Sequence, residues 1–592
     1  MTIPAKIDDL TIMVAGQGGD GSLTVMNVLS ELFGRRGYHL YKSRNVASRI
    51  KGGIAAAQMR ASIVSRGCTG DQIDLVVAFD QEAVTNVGPD LPPDAVVVFD
   101  SSDKPLDRST LADTIRVIEI PFGRYAVRDL RRDLFKNSMS FGVISQLMNV
   151  DQDEAEDCLR QTLRRLPERV LLPNIDSFVD GRKFAMDDAI AAGGYPWHLE
   201  RVTREKHLMI NGNDAVAFGF MAAGGRFFAG YPITPATEIM EWLQKHLPAK
   251  GGVAMQAEDE LAAVNIALGA AMTGVRTMTA TSSPGFSLMA EGIGHAGSAE
   301  IPLVIANSQR AGPSTGMPTK PEQSDIDMMI HGGNGEYPRV VLAPGNPGDG
   351  FIIGAAATNL AQRIQGPVII ALDQAVAQDA RSVTPFDLEA VEPDDAARLT
   401  EEDLAAMETY RRYELNPSGV SPWAVPGTKG GMNLVTGNER NEWGLVTTVP
   451  AKRREMMDKR AAKIEHVRAD LPRGVTGGDP AARIGIVGCG MQSGVIAETA
   501  ERLNAAGTAV RYLQIRTLWP VLEETADFIR GCDHVYVVEQ NSEGQLMHLL
   551  NGHGAFGNLR SLKKYDGVPF RCADLVQHII NGEAKAVQGD AA

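Results

Sequence analysis

The sequence G-Y-P-I-T-P at residues 230–235 begins a central stretch that contains three unusual loops. The second loop is Q-A-E-D-E (256–260), and the third is S-Q-R-A-G-P-S-T-G-M-P-T-K-P-E-Q-S-D (308–325). Between them lie a small-residue helix pattern, A-A-V-N-I-A-L-G-A-A-M-T-G, an extended segment, R-T-M-T-A-T, and an S-S-P-G turn. Short apolar strands that alternate with helices indicate a doubly wound parallel sheet. Such sheets bind ligands in the loops that follow their strands, so we expect these three loops to form a binding site.

The same three blocks resemble a known enzyme family. Y-P-I-T-P, then E-D-E-L-A-A-V-N-I-A-L-G-A-A-M-T-G-V-R-T-M-T-A-T-S-S-P-G-F-S-L-M, then Q-R-A-G-P-S-T-G-M-P-T-K-P-E-Q-S-D is similar to the α subunit of the thiamine-diphosphate-dependent 2-oxoacid:ferredoxin oxidoreductases, most closely of the 2-oxoglutarate type. Agreement of three blocks in order and spacing carries the resemblance. Y-P-I-T-P alone is equally typical of a Pro-flanked turn between two strands.

Composition bounds the class of protein. A chain of 592 residues is too long for one core, so we expect several domains. Its net charge of −15 argues against nucleic acid as the main partner, because phosphate binding requires clustered Lys and Arg. No apolar run approaches the ~20 residues of a membrane helix, and the N-terminus lacks the features of a signal peptide, so we expect a cytoplasmic protein. The 5 cysteines form no C-x-x-C pair, so we expect neither an iron–sulfur cluster nor another metal site on this chain.

The resemblance covers nearly the whole chain and implies three doubly wound α/β domains. Residues 1–190 correspond to the family's γ-type domain, 209–390 to the domain that binds the pyrimidine ring of thiamine diphosphate, and 481–592 to a domain like the C-terminal domain of transketolase. Residues 191–208 are predicted to be a linker, because periodicity is lost there. Residues 391–480 are rich in charge, Pro and Gly, and we predict an irregular covering arm or linker. Trp423 and Trp443 favour the arm, because disordered segments are poor in aromatic residues.

A Gly-rich turn follows the first buried strand of the N-terminal domain. G-Q-G-G-D-G (16–21) leads into a helix, and such a turn binds a phosphate or is simply a tight turn. The acidic ribose partner of nicotinamide sites is absent, and the segment in its place, Y-K-S-R-N-V-A-S-R-I-K-G-G (41–53), is basic. The resemblance to the γ domain suggests that Arg44, Arg49 and Lys51 contact the phosphates of coenzyme A. A solvated basic loop is the alternative.

An acidic cluster precedes the small-residue helix. Thiamine diphosphate becomes a nucleophile when a carboxylate bonded to its aminopyrimidine drives the shift to the imino form, so the pyrimidine-binding domain must supply one. The resemblance assigns this role to Glu260, which stands 14 residues before Gly274. Acidic residues also crowd a first helical turn to offset the dipole and cap free amides, and we assign Glu258 and Asp259 to that role. The same resemblance places Tyr231, Pro232 and Ile233 at the cofactor.

Substrate recognition requires a site for the C1 carboxylate of a 2-oxoacid. A hydroxyl and a guanidinium suit it, because the planar fork matches a carboxylate. Thr234 and Arg310 match the family's substrate residues, although a structural salt bridge is the alternative for Arg310. Lys320 is the candidate for the second carboxylate of 2-oxoglutarate, and an ordinary surface lysine is its alternative. His295 and His331 are either catalytic or structural.

A complete diphosphate site is missing from the chain. Thiamine-diphosphate enzymes bind Mg²⁺ through G-D-G and an Asn some distance on. G-D-G occurs at 19–21 and 348–350, but neither has a strand-flanked Asn partner at that distance. In this family a β subunit carries the diphosphate-binding domain, its Mg²⁺ and a [4Fe-4S] cluster, so we expect that partner, ferredoxin and an (αβ)2 assembly.

The resulting hypothesis is a fused γα subunit of an enzyme that converts 2-oxoglutarate and coenzyme A to succinyl-CoA and CO₂ while reducing ferredoxin. One alternative is the same chemistry on pyruvate, a branched 2-oxoacid or an aryl pyruvate. Another is a nucleotide-binding scaffold that has lost the reaction.

Overall fold

The computed structural model describes residues 4–17, 21–46, 54–88, 91–125, 135–192, 194–203, 205–395 and 397–589. These residues form two compact units. The first comprises Met1–Met209, Asp379–Pro385 and Arg571–Ala573, and the second comprises Ile210–Gln378, Phe386–Phe570 and Asp574–Ala592.

Helices and strands alternate along most of the chain. The strands are β1 (Ala5–Lys6), β2 (Asp9–Gln17), β3 (His39–Val46), β4 (Ile54–Ser62), β5 (Leu75–Ala78), β6 (Val96–Asp100), β7 (Arg116–Ile120), β8 (Trp197–His198), β9 (Leu208–Asn211), β10 (Phe227–Gly230), β11 (Val253–Gln256), β12 (Thr277–Thr281), β13 (Leu303–Gln309), β14 (Val340–Leu342), β15 (Pro367–Asp373), β16 (Ala380–Val383), β17 (Val475–Gly478), β18 (Ile484–Cys489), β19 (Val510–Ile515), β20 (Thr517–Trp519), β21 (His534–Glu539) and β22 (Leu559–Lys563). The α-helices are α1 (Ser22–Arg35), α2 (Gln81–Val87), α3 (Lys136–Leu147), α4 (Gln152–Thr162), α5 (Glu168–Ala192), α6 (Gly212–Ala222), α7 (Thr237–His246), α8 (Glu260–Met272), α9 (Ser283–Ala299), α10 (Ile326–His331), α11 (Pro347–Ile364), α12 (Gln374–Gln378), α13 (Glu401–Ala406), α14 (Pro450–Val467), α15 (Gln492–Ala505), α16 (Glu523–Arg530), α17 (Gln545–Gly554) and α18 (Cys572–Gly589).

The sheet of the first unit is mixed. Neighbouring strands of this sheet follow the spatial order β7-β6-β5-β2-β4-β3-β16. β2, β5, β6 and β7 are parallel, whereas β4 pairs antiparallel with both β2 and β3. The antiparallel half differs from a purely doubly wound sheet, because neighbouring strands in a doubly wound sheet are parallel, whereas β3 and β4 are antiparallel. β16 pairs with β3 through Ala380 and Arg381, although residues 209–390 are predicted to be one domain.

The second unit contains a sheet of seven strands in the order β11-β10-β12-β13-β15-β14-β20. The first six are parallel, and β13 and β15 are buried along their whole length. Burial on both faces explains their apolar runs, L-V-I-A at 303–306 and V-I-I-A-L at 368–372, because helices cover both sides of a parallel sheet. β20 pairs antiparallel with β14, so a strand from the predicted third domain completes the edge of this sheet.

A smaller sheet completes the second unit. Its order is β17-β19-β18-β21-β22, with β17 antiparallel and the other strands parallel. β17 lies within the predicted arm, yet it extends this sheet. One apolar core contains Val341 and Ala371 from the larger sheet together with Leu513 and Val537 from the smaller one. The predicted second and third domains therefore share a core.

The predicted arm, residues 391–480, is largely irregular, and the α-helices among its described residues are α13 and α14. Trp423 is buried, and Trp443 is 47% exposed beneath the Arg411 guanidinium, 5.0 Å from the ring centre. No helix among the described residues combines the length and apolar character needed to cross a membrane.

A buried charge cluster anchors α14 to the end of α9. Glu300 accepts hydrogen bonds of 2.6 Å from the Lys459 ammonium on both oxygens, and Lys463 lies 2.7 Å away. The Arg412 guanidinium donates to the main-chain oxygen of Glu300 at 2.8 Å. Burial lowers the pKa of Lys463 to about 7, whereas the surrounding cations hold the pKa of Glu300 well below its ordinary value despite its burial. Removal of Glu300 would leave buried positive charges without a counter-ion.

Candidate active site

The three predicted loops meet at one edge of the larger sheet. β10 lies between β11 and β12, and β13 follows β12. All four strands are parallel, with Gly230 opposite Gln256 and Thr281 opposite Asn307. The carboxyl ends of parallel strands lie at the same edge, which is where such sheets bind ligands. The residues at this edge that the following paragraphs describe are called the strand-end site: Thr234, Glu260, Ser283, Arg310 and Asp325.

The first residue of α8 is the buried acid of the cluster. Asp259 is the N-cap, and its carboxylate accepts a 2.7 Å hydrogen bond from the Ala262 amide. Glu260 is 6% exposed, whereas Glu258 and Asp259 are both exposed. Because Asp259 caps the helix, the Glu260 carboxylate is available for another role.

Gly285 provides the space that the Glu260 side chain occupies. A Cβ at position 285 would lie 2.5 Å from Glu260 Oε1 and 2.1 Å from Thr281 Oγ1. The S-S-P-G turn therefore requires glycine because of a close approach to the acid. The sequence alone did not predict a function for this turn.

Asn213 of α6 holds the turn that follows β10 through hydrogen bonds. Its side-chain amide donates to the Pro235 carbonyl at 2.7 Å and to Glu238 Oε2 at 3.1 Å. Ser308 Oγ donates to Asn213 Oδ1 at 3.3 Å, which ties the turn to β13. Asn213 is fully buried and was not predicted as a site residue.

The predicted cofactor and substrate residues follow β10 directly. Tyr231 is 38% exposed at the start of the turn, and Pro232, Ile233 and Thr234 are half-buried. Their partial exposure leaves this side of the edge accessible, in contrast to the burial of Glu260.

Arg310 follows β13 and reaches across the edge to the turn after β10. Its Nη1 donates a 2.7 Å hydrogen bond to the Thr234 main-chain oxygen, and its amide donates to Ser283 Oγ at 3.3 Å. Burial lowers the pKa of Arg310, and the charges of Asp325 and Glu260 oppose that shift. Thr234, Glu260 and Arg310, predicted from separate blocks, therefore lie at one place.

Three polar atoms at this edge are buried without a hydrogen-bond partner. They are Arg310 Nε, Ser282 Oγ and Asn307 Oδ1. A buried polar group without a partner costs free energy, so such groups commonly mark positions that a ligand or water satisfies. Arg310 Nε is a donor, and an anionic ligand would satisfy it.

Lys320 lies in the loop that follows β13. Its main-chain oxygen accepts from the Ala311 amide at 3.0 Å, so its backbone lies beside the residue after Arg310. Burial lowers the pKa of its half-buried ammonium. A Cβ on Gly567, in the loop after β22, would lie 3.2 Å from the Lys320 Cβ, so this loop borders the lysine.

Asp325 and Ser283 are site residues that sequence reasoning missed. Asp325 accepts a 2.9 Å hydrogen bond from Asn307 Nδ2, and the Ser283 hydroxyl favours the charged form of the same carboxyl group. Burial raises the pKa of Asp325. Both residues lie in the quoted blocks, but short polar residues there are equally typical of turns and caps, so no sequence signal separated these roles.

The G-D-G sequence at 348–350 has a structural role. Asp349 lies in the first turn of α11 and accepts a hydrogen bond from Gln514 Nε2 at 2.5 Å. It also pairs with the Arg516 guanidinium. Its carboxylate is therefore used by these two partners within the protein.

The histidine candidates lie away from the strand-end site. His295 stands twelve positions after Ser283 on α9, about 18 Å along the helix. Burial and the nearby Arg440 charge lower its pKa. His331 is exposed at the end of α10, with its ring 5.9 Å from that of Trp519.

The predicted coenzyme A residues belong to the first unit. Arg44 lies half-buried on β3, opposite Ala57 of β4. Arg49 and Lys51 lie outside the described residues. Of the Gly-rich turn, Gly16 and Gln17 end β2, and Gly21 precedes α1 with φ 83°, a backbone conformation that glycine adopts without strain.

The chain matches models of protein families over most of its length. Residues 219–459 match "Pyruvate flavodoxin/ferredoxin oxidoreductase, thiamine diP-bdg", and residues 11–184 match "Pyruvate ferredoxin/flavodoxin oxidoreductase". The first match contains the whole strand-end site.

Similar proteins extend over the full chain. A 2-oxoacid:ferredoxin oxidoreductase subunit alpha of Aeropyrum pernix is 30% identical and aligns over 98% of this chain and 99% of its own length. The 2-oxoglutarate synthase subunit KorA of Archaeoglobus fulgidus is 35% identical over 57% of this chain and 89% of its own. A 2-oxoglutarate:ferredoxin oxidoreductase structure from Magnetococcus marinus, with 2-oxoglutarate, coenzyme A and succinyl-CoA bound, has TM-score 0.91 and 31% identity over 97% of this chain and 100% of that one.

Proposed function

The chain belongs to the 2-oxoacid:ferredoxin oxidoreductase family as an alpha subunit, and on that premise we propose that its substrate is 2-oxoglutarate. The proposed reaction converts 2-oxoglutarate and coenzyme A to succinyl-CoA and CO₂ and passes two electrons to ferredoxin. The observation that carries the proposal is the presence of a buried acid, Glu260, and a buried cation, Arg310, at the same carboxyl edge of the larger sheet. A scaffold that had lost the reaction would have no need of this costly pair.

The strand-end site fits the pyrimidine half of thiamine diphosphate. Glu260 is buried and is not used as a helix cap, and Gly285 leaves room beside its carboxylate. We assign Glu260 to a hydrogen bond with the pyrimidine ring, and Tyr231, Pro232 and Ile233 to the wall around that ring. When bound, the cofactor supplies the nucleophilic carbon that attacks the 2-oxo group. Because Glu260 is buried, water does not compete for this hydrogen bond.

The other end of the site suits the substrate carboxylate. Arg310 has one guanidinium donor on the Thr234 carbonyl and an unpartnered Nε. A bound C1 carboxylate would give the remaining donors a charged acceptor, and the Thr234 hydroxyl would supply a second contact. Because burial lowers the pKa of Arg310, an anionic substrate would relieve the cost of its charge.

The preference for 2-oxoglutarate depends on a second carboxylate. Lys320 has its main chain bonded to Ala311, the residue after Arg310, and a half-buried ammonium, and we assign it to the distal carboxylate. The names of the Archaeoglobus and Magnetococcus relatives support this substrate. Pyruvate, branched and aryl 2-oxoacids are the alternatives.

A partner subunit is required by this proposal. A β subunit would bind the diphosphate through Mg²⁺ and carry the [4Fe-4S] cluster that passes electrons to ferredoxin, in an (αβ)2 assembly. Residues 1–190 would be a γ-type domain fused ahead of the α part, with Arg44, Arg49 and Lys51 near the phosphates of coenzyme A.

Co-expression with the β subunit tests the function. The purified complex is assayed for coenzyme-A-dependent reduction of a viologen dye with 2-oxoglutarate, pyruvate, 2-oxobutyrate and an aryl pyruvate in parallel. We expect the highest kcat/KM with 2-oxoglutarate. A higher value with another 2-oxoacid would change the substrate, and inactivity with all of them in a complex that holds cofactor and cluster would contradict the enzyme assignment.

Calorimetry tests the dependence on a partner. The isolated chain is titrated with thiamine diphosphate and Mg²⁺, and we expect no tight binding because the chain supplies only the pyrimidine half of the site. The complex with the β subunit serves as the positive control. Tight, Mg²⁺-dependent binding by the isolated chain would contradict the shared site.

A further inference from the structure

We propose that Asp325 is a positioning residue for Arg310, acting through Ser283 and through its charge rather than by contact with the substrate. This inference rests on the proposed function, because it assigns Arg310 to the substrate carboxylate. In this role the loop of residues 311–325, together with the residues of the smaller sheet that hold it, keeps Asp325 in place.

Asp325 stands at the N-cap of α10 but does not cap it. Aspartate at this position normally accepts a hydrogen bond from the first turn, whereas the Asp325 side chain makes no cap bond. Its carboxylate instead accepts from Asn307 Nδ2 at 2.9 Å, and its amide donates to Gln309 Oε1 at 3.0 Å. Asp325 is therefore bound to the last residues of β13, directly before Arg310.

Ser283 connects the Asp325 carboxyl group to the main chain of Arg310. The Arg310 amide donates to Ser283 Oγ at 3.3 Å. Burial raises the pKa of the Asp325 carboxyl group, and the serine hydroxyl acts against that shift. A hydroxyl donates once and accepts as well, so one serine makes both contacts. The link fixes the point from which the Arg310 side chain extends.

The charge of Asp325 stabilises the guanidinium without occupying it. Asp325 and Glu260 both oppose the effect of burial on Arg310. Within the described part of the chain, Arg310 forms no ion pair, and its Nε has no partner. Asp325 is therefore close enough to favour the cation, while a donor remains for the substrate.

Residues after β21 hold Asp325 from both sides. Gln545 Nε2 donates to the Ser324 carbonyl at 2.9 Å, and the Asp327 amide donates to Gln545 Oε1 at 3.2 Å. Asn541 Nδ2 donates to the Gln323 carbonyl at 3.1 Å. The transketolase-like part of the chain thus fixes the peptide units on either side of Asp325, which gives it a physical route to the substrate residue.

The test compares Asp325→Asn with Glu322→Gln in the complete αβ complex. Glu322 is a matched control, because it lies on the same loop and burial raises the pKa of its carboxyl group, whereas the hydrogen bond from Asn307 of β13 goes to Asp325. Asp325→Asn should raise KM about 10- to 100-fold for every 2-oxoacid that the wild type uses, with kcat within about threefold. Glu322→Gln should leave both constants and the melting temperature unchanged.

A double-mutant cycle with Arg310→Lys completes the test. If Asp325 acts through Arg310, the two KM effects should be markedly less than additive. Additive effects, an unchanged KM in Asp325→Asn, a fall in kcat alone, or an equal loss in Glu322→Gln would each overturn the inference.

Ser283→Ala decides the question if Asp325→Asn does not fold. It removes the same link with a smaller change and should raise KM in the same direction with kcat preserved, whereas an unchanged KM would overturn the inference. Inactivity of the wild-type complex would contradict the proposed function instead. The two failures are therefore distinguishable.

Discussion

The Arg310 guanidinium donates a 2.7 Å hydrogen bond to the main-chain oxygen of Thr234, a residue 76 positions earlier in the chain. Two loops that follow different strands are thereby joined at the edge of the larger sheet. The bond holds the guanidinium beside the Thr234 main chain and leaves Nε without a partner. Substrate recognition should therefore depend on Arg310 for any 2-oxoacid, because the C1 carboxylate is common to all of them.

Methionine substitutions at Arg310 and Lys320 should separate the two carboxylate sites. Arg310→Met should lower kcat/KM about 100-fold or more for all 2-oxoacids, since it leaves the common carboxylate without its cation. Lys320→Met should raise KM for 2-oxoglutarate only, because an unpaired second charge costs roughly 2 to 5 kcal/mol in a closed site. Steady-state kinetics with 2-oxoglutarate and 2-oxobutyrate measure both. Equal losses on mono- and dicarboxylates in Lys320→Met would move the distal contact to the partner subunit.

Gly285→Ala should lower turnover although it changes no polar group. The added Cβ would lie 2.5 Å from Glu260 Oε1, so the carboxylate must shift. Alanine is the better helix former by about 1 kcal/mol, so weakening of α9 does not explain a loss. We expect kcat to fall about tenfold or more. The control is Gly294→Ala on the same helix, where the nearest atom is a Tyr337 carbon at 3.6 Å, and equal activity of both variants would contradict the prediction.

Glu300→Gln should destabilise the attachment of α14. The carboxylate contacts Lys459 and Lys463, so its removal leaves buried cations unpaired, at a cost of about 3 to 5 kcal/mol. Hydrogen exchange of the α14 amides measures the local unfolding free energy. The exposed Glu336→Gln is the control. Equal protection of α14 in the two variants would show that the cluster does not anchor the helix.

The pH dependence of that deficit follows from the pKa shifts. Burial lowers the pKa of Lys463 from 10.5 in the unfolded chain to about 7, so the unfolded state binds more protons between these values and stability rises with pH there. Without Glu300 both lysines lose the interaction that favours their charge, so the variant should regain stability more steeply than the wild type between about pH 7 and 10.5. The pKa of Glu300 lies well below its unfolded value of 4.5, so its contribution is present above pH 4.5 and lost as pH falls below it.

Much of the larger sheet and its site could be predicted from local sequence. The first and third loops follow β10 and β13, which are apolar because they are buried in the sheet, whereas the second follows the exposed edge strand β11. Parallel pairing brings Thr234, Glu260 and Arg310 to one edge. The α/β class with parallel-dominated sheets is confirmed by the structure and by the family matches, whereas the described chain forms two compact units. The sequence does not show which acidic residue at a helix start is buried. In the fold Glu260 is buried and Glu258 is exposed, and this difference separates their roles.

The remaining features depend on contacts between distant segments. β16, β17 and β20 are short strands that join sheets from outside their predicted domains, and short strands carry little periodic signal. Asp325 was missed because an aspartate before a helix is typical of an N-cap. Only its contacts show that the side chain points to β13 instead.

Glu260→Gln in the assembled enzyme is the most direct test of the central claim, which is that this chain supplies the activating carboxylate. Glutamine keeps the size of the side chain but removes the charged acceptor, so kcat should fall by a factor on the order of 10² to 10⁴ with cofactor content and assembly unchanged. Glu258→Gln and Asp259→Asn, on the same helix start but exposed, should retain nearly full turnover. Turnover near the wild-type level in Glu260→Gln, or its loss in Glu258→Gln instead, would contradict the account.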